Sequence, residues 1–198
     1  MDELKNPDYL SQTFTGLCLT SQNISSKKFD SCTFKDCDFS EASFNDSKFI
    51  DCIFIKCNLS IAKINNCKFS DVIFEECKLI GIDWTSVAWP QIALCSPVKF
   101  YKCIMNDGIF FGLSLEELVI EQCKAHDVDF REGNFTDSNF TYTDFTNSLF
   151  NKTNLTGVNF TEAISYNIDI YFNEIKRAKF SRHEAVRLLD SLDIELVD

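Results

Sequence analysis

A large apolar residue returns at every fifth position over two long stretches of the chain, residues 24–84 and 100–160. In the first stretch these positions hold Ile24, Phe29, Phe34, Phe39, Phe44, Phe49, Phe54, Leu59, Ile64, Phe69, Phe74, Leu79 and Trp84. In the second they hold Phe100, Met105, Phe110, Leu115, Ile120, Ala125, Phe130, Phe135, Phe140, Phe145, Phe150, Leu155 and Phe160. A period of five matches neither an α-helix, with about 3.6 residues per turn, nor a strand, with a period of about two. Such fixed self-similarity is typical of a solenoid.

The residue two positions before each of these apolar residues is mostly small. In the first stretch these residues are Cys32, Cys37, Ala42, Ser47, Cys52, Cys57, Ala62, Cys67, Val72 and Cys77. In the second they include Cys103, Gly108, Cys123, Val128, Gly133, Ser138, Thr143, Ser148, Thr153 and Val158. Each unit is therefore predicted to turn one large and one small side chain inward and to form one side of a coil, followed by a corner.

The pattern small–x–Phe/Leu–x–x over residues 14–163 resembles that of the pentapeptide-repeat family. The resemblance implies an all-β fold, a right-handed β-helix of square cross-section with four units per coil. Residues four units apart would then stack at the strand spacing of about 4.8 Å. The predicted organisation is an N-terminal cap at 1–13, a first solenoid part at 14–84, a joint or loop at 85–97, a second solenoid part at 98–165, and a C-terminal cap helix with a dimerisation tail at 166–198.

The repeat is interrupted between Thr85 and Pro97, and its phase shifts by one residue across the interruption. This segment contains Trp89 and Pro90. Two interpretations remain open for it. It is either a simple joint between two halves of the solenoid or an outward loop that binds a partner.

Residues 181–192 predict a short amphipathic α-helix. Ser181 and Glu184 have the spacing of a capping box, and apolar residues follow at helical intervals. The apolar residues of this helix and of the tail after it include Val186, Leu189, Leu192, Ile194 and Leu196. We expect them to cover the last coil and to join two copies, because the resemblance to gyrase-protecting family members implies a homodimer through the C-termini.

Eight of the ten cysteines occupy the small inward position, and only Cys18 and Cys95 do not. A disulfide or metal framework is the alternative to small buried thiols. Stacked cysteines on parallel neighbouring units would rarely have the dihedral angle of a disulfide, and the C-x2-C spacing of many metal sites is absent. We therefore expect free thiols, no metal and no cofactor.

Catalytic chemistry finds little support in the chain. His126 and His183 are the only histidines, and no nucleophile–histidine arrangement, Gly-rich phosphate loop or H-E-x-x-H motif is present. We expect a protein that is not an enzyme. No apolar run of membrane-spanning length occurs, and the polar start does not resemble a signal peptide, so we expect no membrane association and a cytoplasmic location.

The formal net charge is −11, of which residues 100–165 carry −6. These residues would form about three coils, or roughly 16 Å of solenoid axis. The resulting line charge, about one per 2.6 Å, approaches that of duplex DNA at about one per 1.7 Å. Two interpretations of this acidity remain open: it keeps the protein soluble, or it mimics the charge of DNA. No Lys/Arg stripe is apparent, so direct nucleic-acid binding is not expected.

The resemblance is nearest to the Qnr-type and to the microcin B17 and albicidin immunity proteins of the family. It implies a DNA-mimicking protein that binds DNA gyrase or topoisomerase IV and protects it from quinolones or peptide toxins. Acidic outward residues of the second solenoid part would contact the basic DNA-binding surface of that enzyme. The candidate residues are Glu116, Glu117, Glu121, Asp127, Asp129, Glu132, Asp137 and Asp144. The alternative is a passive scaffold that binds another protein.

Overall fold

The repeated units wind into a right-handed β-helix of about 8 turns, as predicted. The computed structural model describes residues 4–90, 96–192 and 194–195. Of the residues predicted to matter, Leu196 and the central part of the joint, residues 91–95, lie outside the described residues.

The strands are short, parallel and separated by tight corners. They are β1 (Asp8–Leu10), β2 (Thr13–Thr15), β3 (Lys28–Asp30), β4 (Thr33–Lys35), β5 (Lys48–Ile50), β6 (Ile53–Ile55), β7 (Lys68–Ser70), β8 (Val72–Glu75), β9 (Val98–Tyr101), β10 (Val119–Glu121), β11 (Leu149–Phe150), β12 (Asn159–Phe160), β13 (Asn167–Ile168) and β14 (Lys179–Phe180). Hydrogen bonds order them as β1-β3-β5-β7 and β10-β9-β8-β6-β4-β2, with the further pairs β11-β13 and β12-β14. Because each strand pairs with the equivalent strand of the next coil, the sheets run along the solenoid axis.

The four sides of the coil are defined by the inward apolar residues. Side 1 holds Phe29, Phe49 and Phe69, side 2 holds Phe34, Phe54 and Phe74, side 3 holds Phe39, Leu59 and Leu79, and side 4 holds Phe44, Ile64 and Trp84. After the joint, side 1 continues with Leu115 and Phe135, side 2 with Phe100 and Ile120, side 3 with Met105 and Ala125, and side 4 with Phe110 and Phe130. The register Phe29↔Phe49 and Phe34↔Phe54 confirms that residues four units apart stack.

Stacked rings fill the interior of the first solenoid part. The ring of Phe54 lies 4.6 Å from that of Phe34 and 4.9 Å from that of Phe74, with nearly parallel planes in both pairs. On side 1 the column extends to Tyr9, whose ring stacks on Phe29 at 5.2 Å. The regular coil therefore begins at β1, within the segment expected to form the N-terminal cap.

The residue two positions after an inward apolar residue forms a corner with left-handed backbone geometry in most units, although Ser86, after Trp84, instead ends a short 3-10 helix, Trp84–Ser86. Asp51 has φ of 49° and Glu117 has φ of 57°. This conformation costs a residue other than glycine about 1–2 kcal/mol. It leaves the corner N–H pointing to the next coil, where that of Asp51 donates to the Ser70 carbonyl at 2.9 Å. Corner side chains consequently project outward, and Asp51 and Glu117 are both exposed.

The joint adds six residues to one coil. Val72 pairs with Val98, a step of 26 residues, whereas Phe54 pairs with Phe74, a step of 20. Six residues are one unit plus one residue, which explains the phase shift seen in the sequence. Trp89 precedes the insertion and continues side 1, since its ring lies 6.2 Å from that of Phe69 and its Nε1 donates to the Trp84 carbonyl at 2.9 Å.

The C-terminal cap is a helix with 3-10 geometry, Ala185–Leu192, which follows the predicted last unit at β14. The predicted capping box does not form. The Ser181 hydroxyl instead donates to the Glu162 carboxylate at 2.8 Å, and the Glu184 carboxylate accepts from the Ser165 N–H at 3.3 Å. Both polar residues therefore fasten the helix to the preceding coil, and Leu188 packs against the core.

The small inward position tolerates little extra volume at Gly133. A Cβ atom there would lie 2.5 Å from Cε2 and 2.8 Å from Cζ of Phe135, whose ring is fully buried. We expect Gly133→Ala to lower the free energy of unfolding by about 1–3 kcal/mol, because the ring must leave its packed position. Urea unfolding of the variant and the wild type measures this difference.

Ser138→Ala is the matched control for Gly133→Ala, since Ser138 holds the same position in the next unit. Its buried Oγ has no hydrogen-bond partner in the described part of the chain. Removal of an unsatisfied hydroxyl should be neutral or stabilising. Equal stability of Gly133→Ala and the wild type would show that the ring is less constrained than the structure indicates.

The nine described cysteines are free, as predicted, and eight of them are buried. Five of the buried thiols form one column along side 3: Cys37, Cys57, Cys77, Cys103 and Cys123. Burial raises the pKa of Cys52 to about 11 and that of Cys67 to about 12. Because the thiolate is the reactive form, these thiols should be inert in the folded protein.

Site-resolved thiol modification checks this expectation. At pH 8, Cys18, which is exposed, should react with a disulfide reagent within minutes. Cys67 should stay unmodified until the protein unfolds, because roughly one thiol in ten thousand is ionised at that pKa and the side chain is enclosed. Mass spectrometry of native and urea-unfolded samples distinguishes the sites. Modification of Cys67 in native protein at the rate of Cys18 would contradict the packing described here.

Candidate functional site

The eight predicted acidic residues lie on outward positions, but the coil distributes them over every side. Glu116 lies on side 1, Glu121 on side 2, Asp144 on side 3 and Asp129 on side 4; Glu117 and Asp137 lie at the corner of sides 1 and 2, Asp127 at that of sides 3 and 4, and Glu132 at that of sides 4 and 1. The structure therefore does not gather them on a single acidic face.

Three of these carboxylates lie beside basic or imidazole side chains. Arg131 donates to Asp129 through Nε at 2.9 Å and Nη2 at 2.8 Å, and this bond lowers the pKa of Asp129. Lys152 lies 3.5 Å from Glu132. His126 Nε2 lies 2.8 Å from Asp144. Because Arg131 and Lys152 are cations, Asp129 and Glu132 contribute little net negative charge to the surface.

Asp144 shows how a partly buried carboxylate is kept ionised. Desolvation opposes its charge, but hydrogen bonds from Thr146 and His126 more than offset that effect and lower its pKa. Two further carboxylates, Glu116 and Glu121, accept side-chain amide bonds from Asn134 at 2.9 Å and Asn139 at 3.0 Å. Their charge remains, but the bonds hold them in fixed positions.

The three remaining acids, Glu117, Asp127 and Asp137, lie at corners and are exposed. None has a side-chain hydrogen bond or ion pair within the described ranges. Glu117 and Asp137 occupy successive coils, because the Glu117 N–H donates to the Thr136 carbonyl at 2.9 Å. They are therefore stacked along one edge of the solenoid at about 4.8 Å.

Two edges of the solenoid consequently carry carboxylates that, apart from Asp71, make no ion pair within the described residues. The first acidic corner, as we call it, lies between sides 1 and 2 and consists of Asp51, Asp71, Glu117 and Asp137. The second acidic corner lies between sides 3 and 4 and consists of Asp107 and Asp127. These corners are diagonally opposite. On the first, Lys99 pairs with Asp71 at 3.3 Å, and the insertion after Trp89 separates Asp71 from Glu117.

The other two corners carry charges of both signs. The corner between sides 2 and 3 holds Asp36, Lys56, Glu76 and Lys102 in successive coils, with Lys56 and Glu76 3.6 Å apart. Glu132 and Lys152 neutralise each other on the remaining corner. Stacked carboxylates are therefore found on the two acidic corners, whereas Glu116, Glu121 and Asp46 carry isolated negative charges elsewhere.

Asp51, Asp71 and Asp107 were not among the predicted site residues. Their position within the repeat identifies them, because each lies two positions after an inward apolar residue: Phe49, Phe69 and Met105, respectively. The six-residue insertion hides the relation of Asp71 to Glu117, because the two numbers cannot be matched by a constant step. Phase within the unit, rather than local charge density, identifies the corner acids.

The structure contradicts the expected absence of a basic stripe. Lys28, Lys48 and Lys68 lie directly opposite one another on β3, β5 and β7 of side 1. These residues are far apart in the sequence, so a scan for clustered lysines does not find them. The first solenoid part thus has a basic column beside the acidic corner.

The predicted dimerisation residues are mostly accessible. Val186 and Ile194 are exposed, with 48% and 54% of their surface accessible, while Leu189 and Leu192 are half-buried. Tyr171 and Phe172 of the last coil are also exposed, at 70% and 59%. The described C-terminal region therefore presents several large apolar side chains.

The described residues include no group of three or more histidine, cysteine or acidic side chains that could hold a metal ion. Among the same residues no helix is long and apolar enough to cross a membrane. His126 is engaged with Asp144 on the surface of side 3, and the same carboxylate accepts from the Thr146 hydroxyl at 2.7 Å. The charged corners remain the distinctive feature.

Comparisons with known proteins address the family and the fold. The family model described as a pentapeptide repeat region matches residues 27–96 and 82–160. None of the curated proteins matches the sequence.

Solved structures of QnrB1, described as a plasmid-mediated fluoroquinolone resistance protein, are similar to the chain. One trypsin-treated variant gives a TM-score of 0.64 at 18% identity, and the match covers 96% of this chain and 99% of that one. A second trypsin-treated variant gives a TM-score of 0.66 at 19% identity, and the match covers 93% of this chain and 100% of that one. Full-length QnrB1 gives a TM-score of 0.51 at 19% identity, and the match covers 94% of this chain and 100% of that one. At this identity the likeness shows a shared fold.

Proposed function

Because the repeat model matches most of residues 27–160, the chain belongs to the pentapeptide-repeat family, and on that basis we propose that it is a non-enzymatic DNA mimic. It binds a type II topoisomerase, DNA gyrase or topoisomerase IV, in the cytoplasm. Binding protects the enzyme from quinolones or peptide toxins or modulates their inhibition. The similarity of its fold to QnrB1, a fluoroquinolone resistance protein by its printed description, supports this choice of partner.

The two acidic corners carry the proposal. Each presents exposed carboxylates at the strand repeat of about 4.8 Å, along a rigid rod. A protein surface that binds duplex DNA is basic and meets phosphates at about 3.4 Å intervals along each strand. Two parallel rows of negative charge on opposite edges of a rod resemble the two phosphate backbones more closely than a uniform surface charge would. Complementary potentials of this kind mainly increase the association rate and the specificity.

A homodimer through the C-termini is part of the proposal. The exposed Val186 and Ile194 and the half-buried Leu189 support it. We expect Val186→Asp/Ile194→Asp to shift the protein toward the monomer, because charged groups cannot be buried there without partners. Sedimentation velocity over a range of concentrations measures the shift. A wild-type protein that is monomeric at every concentration would contradict the dimer.

A supercoiling assay with purified gyrase, with and without a quinolone, tests the function. We expect the protein to restore supercoiling in the presence of the drug, or to inhibit supercoiling when it competes with DNA in the drug's absence. Indifference of both reactions to a large excess of protein would contradict the proposal for gyrase. The same pair of assays with topoisomerase IV decides between the two enzymes.

A scaffold that binds another protein is the second candidate, and side 4 favours it. Ile109, Phe111 and Leu149 are exposed there, at 41%, 43% and 47%, around the neutral Asp129–Arg131 pair. The Arg131 guanidinium lies 5.8 Å from the centre of the Phe111 ring. Exposed aromatic and arginine side chains of this kind are enriched at protein interfaces. A pull-down from cell lysate that lacks gyrase and topoisomerase IV would favour this candidate.

A further inference from the structure

The lysine column of side 1 is a surface that the acidic corners do not explain. Lys28, Lys48 and Lys68 precede the stacked rings of Phe29, Phe49 and Phe69 and pair in register on β3, β5 and β7. Their Cα atoms follow the strand repeat of about 4.8 Å. The rings beneath are buried and stack at 5.1 and 5.3 Å, so the column stands on a rigid support.

Most of the positive charge of this column is uncompensated. Lys28 pairs with Asp30 at 3.0 Å, but Lys48 and Lys68 are exposed and make no ion pair within the described residues. Like charges directly opposite each other destabilise a sheet. On the corner between sides 2 and 3, by contrast, successive charges alternate, as at Lys56 and Glu76. An anion above the column would relieve this repulsion.

Carboxylates on both sides limit the width of an anionic ligand. Asp51 and Asp71 lie at one corner of side 1, and Asp46 lies at the other. A nucleic-acid duplex, with about one charge per 1.7 Å of its axis, would bring phosphates against these acids as well as against the lysines. A single extended chain that runs along the solenoid axis avoids the corners.

We propose that the lysine column binds an extended acidic segment of a partner protein. Alternate residues of an extended segment point to one face about 6.6–6.8 Å apart, so two carboxylates fit within the roughly 9.6 Å between the first and the third lysine. The flexible four-carbon stems of lysine absorb the difference from the strand repeat. This surface is separate from the acidic corners, and it binds its segment whether or not the protein binds a topoisomerase.

Fluorescence anisotropy with a labelled (Glu-Ser)5 peptide tests the proposal. A labelled 20-base-pair duplex, measured separately, tests whether the column prefers a nucleic acid. The variant is Lys48→Glu/Lys68→Glu. The matched control is Lys78→Glu/Lys124→Glu, since these exposed lysines of side 3 are separated by a coil that holds Ile104. Both double variants change the formal net charge from −11 to −15, so long-range repulsion of the peptide increases equally in both.

At about 20 mM salt, where screening is weak, we expect the column variant to bind the peptide at least about tenfold more weakly than the control. Equal binding by the two variants, or no binding of the peptide by the wild type, would overturn the proposal. Tighter, column-dependent binding of the duplex would overturn it in favour of a nucleic acid. Thermal melting monitors folding, and Lys48→Gln/Lys68→Gln replaces the column variant if that variant fails to fold, with a smaller loss expected in the same direction.

Discussion

Replacement of Phe110 by alanine is expected to lower the free energy of unfolding by about 3–5 kcal/mol, whereas the same replacement at Phe111 should cost less than about 1 kcal/mol. The two residues are neighbours in the sequence, but only Phe110 has the inward phase. Its ring is fully buried between Trp84 at 5.7 Å and Phe130 at 5.3 Å. Its removal leaves a cavity that the stacked rings cannot close without leaving their rotamers.

Urea unfolding of the two variants measures this contrast. Phe111 is 43% exposed and its ring lies 5.8 Å from the Arg131 guanidinium, so its loss should remove less packing than the loss of the fully buried Phe110. Similar destabilisation by Phe110→Ala and Phe111→Ala would mean that the phase of the repeat does not decide which side chain supports the fold. The pair is informative because composition, chain position and residue type are all matched.

Reversal of the charges at Glu117 and Asp137 is expected to weaken binding of a type II topoisomerase strongly. Two opposite charges about 4 Å apart in water interact by about 1 kcal/mol. Reversal of two charges removes two attractions and adds two repulsions, about 4 kcal/mol, or roughly 1,000-fold in Kd at low salt. The effect should fall at physiological salt, because exposed charges are screened.

Asp36→Lys/Glu76→Lys is the control for Glu117→Lys/Asp137→Lys. Both double variants raise the formal net charge from −11 to −7, but Asp36 and Glu76 lie on the corner where charges alternate. Surface plasmon resonance with immobilised gyrase should show a large loss for the acidic-corner variant and a small one for the control. Equal losses would mean that only the total charge matters, which is the solubility interpretation of the acidity.

Sequence periodicity predicts the fold well, because each inward position is decided by local phase. The repeat of five identifies inward residues such as Phe29 and Cys32, whereas the four units per coil, which stack Phe29 on Phe49, came from the family resemblance. Burial of one large and one small side chain per five-residue unit is compatible with few backbone conformations of the chain. The last unit at Phe180 follows from the same rule, although it lies beyond the continuous repeat.

The surface is harder to predict, because it depends on which coils become neighbours. The six residues added between Trp89 and Val98 decide that Asp71 and Glu117 share a corner, and no periodic rule specifies their number. The contacts of Asp129 with Arg131 and of Asp144 with His126 depend on side-chain reach rather than on phase. The prediction of a capping box was wrong for a similar reason, since the Ser181 hydroxyl hydrogen-bonds Glu162 on the preceding coil.

Competition with DNA for gyrase tests most directly whether the acidic corners mimic a duplex. A labelled duplex bound to gyrase is titrated with the wild-type protein and with Glu117→Lys/Asp137→Lys at several salt concentrations. We predict that the wild type displaces the duplex, that displacement weakens steeply as salt rises, and that the variant displaces it poorly. Formation of a complex that holds both the protein and the duplex, or displacement that neither salt nor the charge reversal affects, would contradict DNA mimicry.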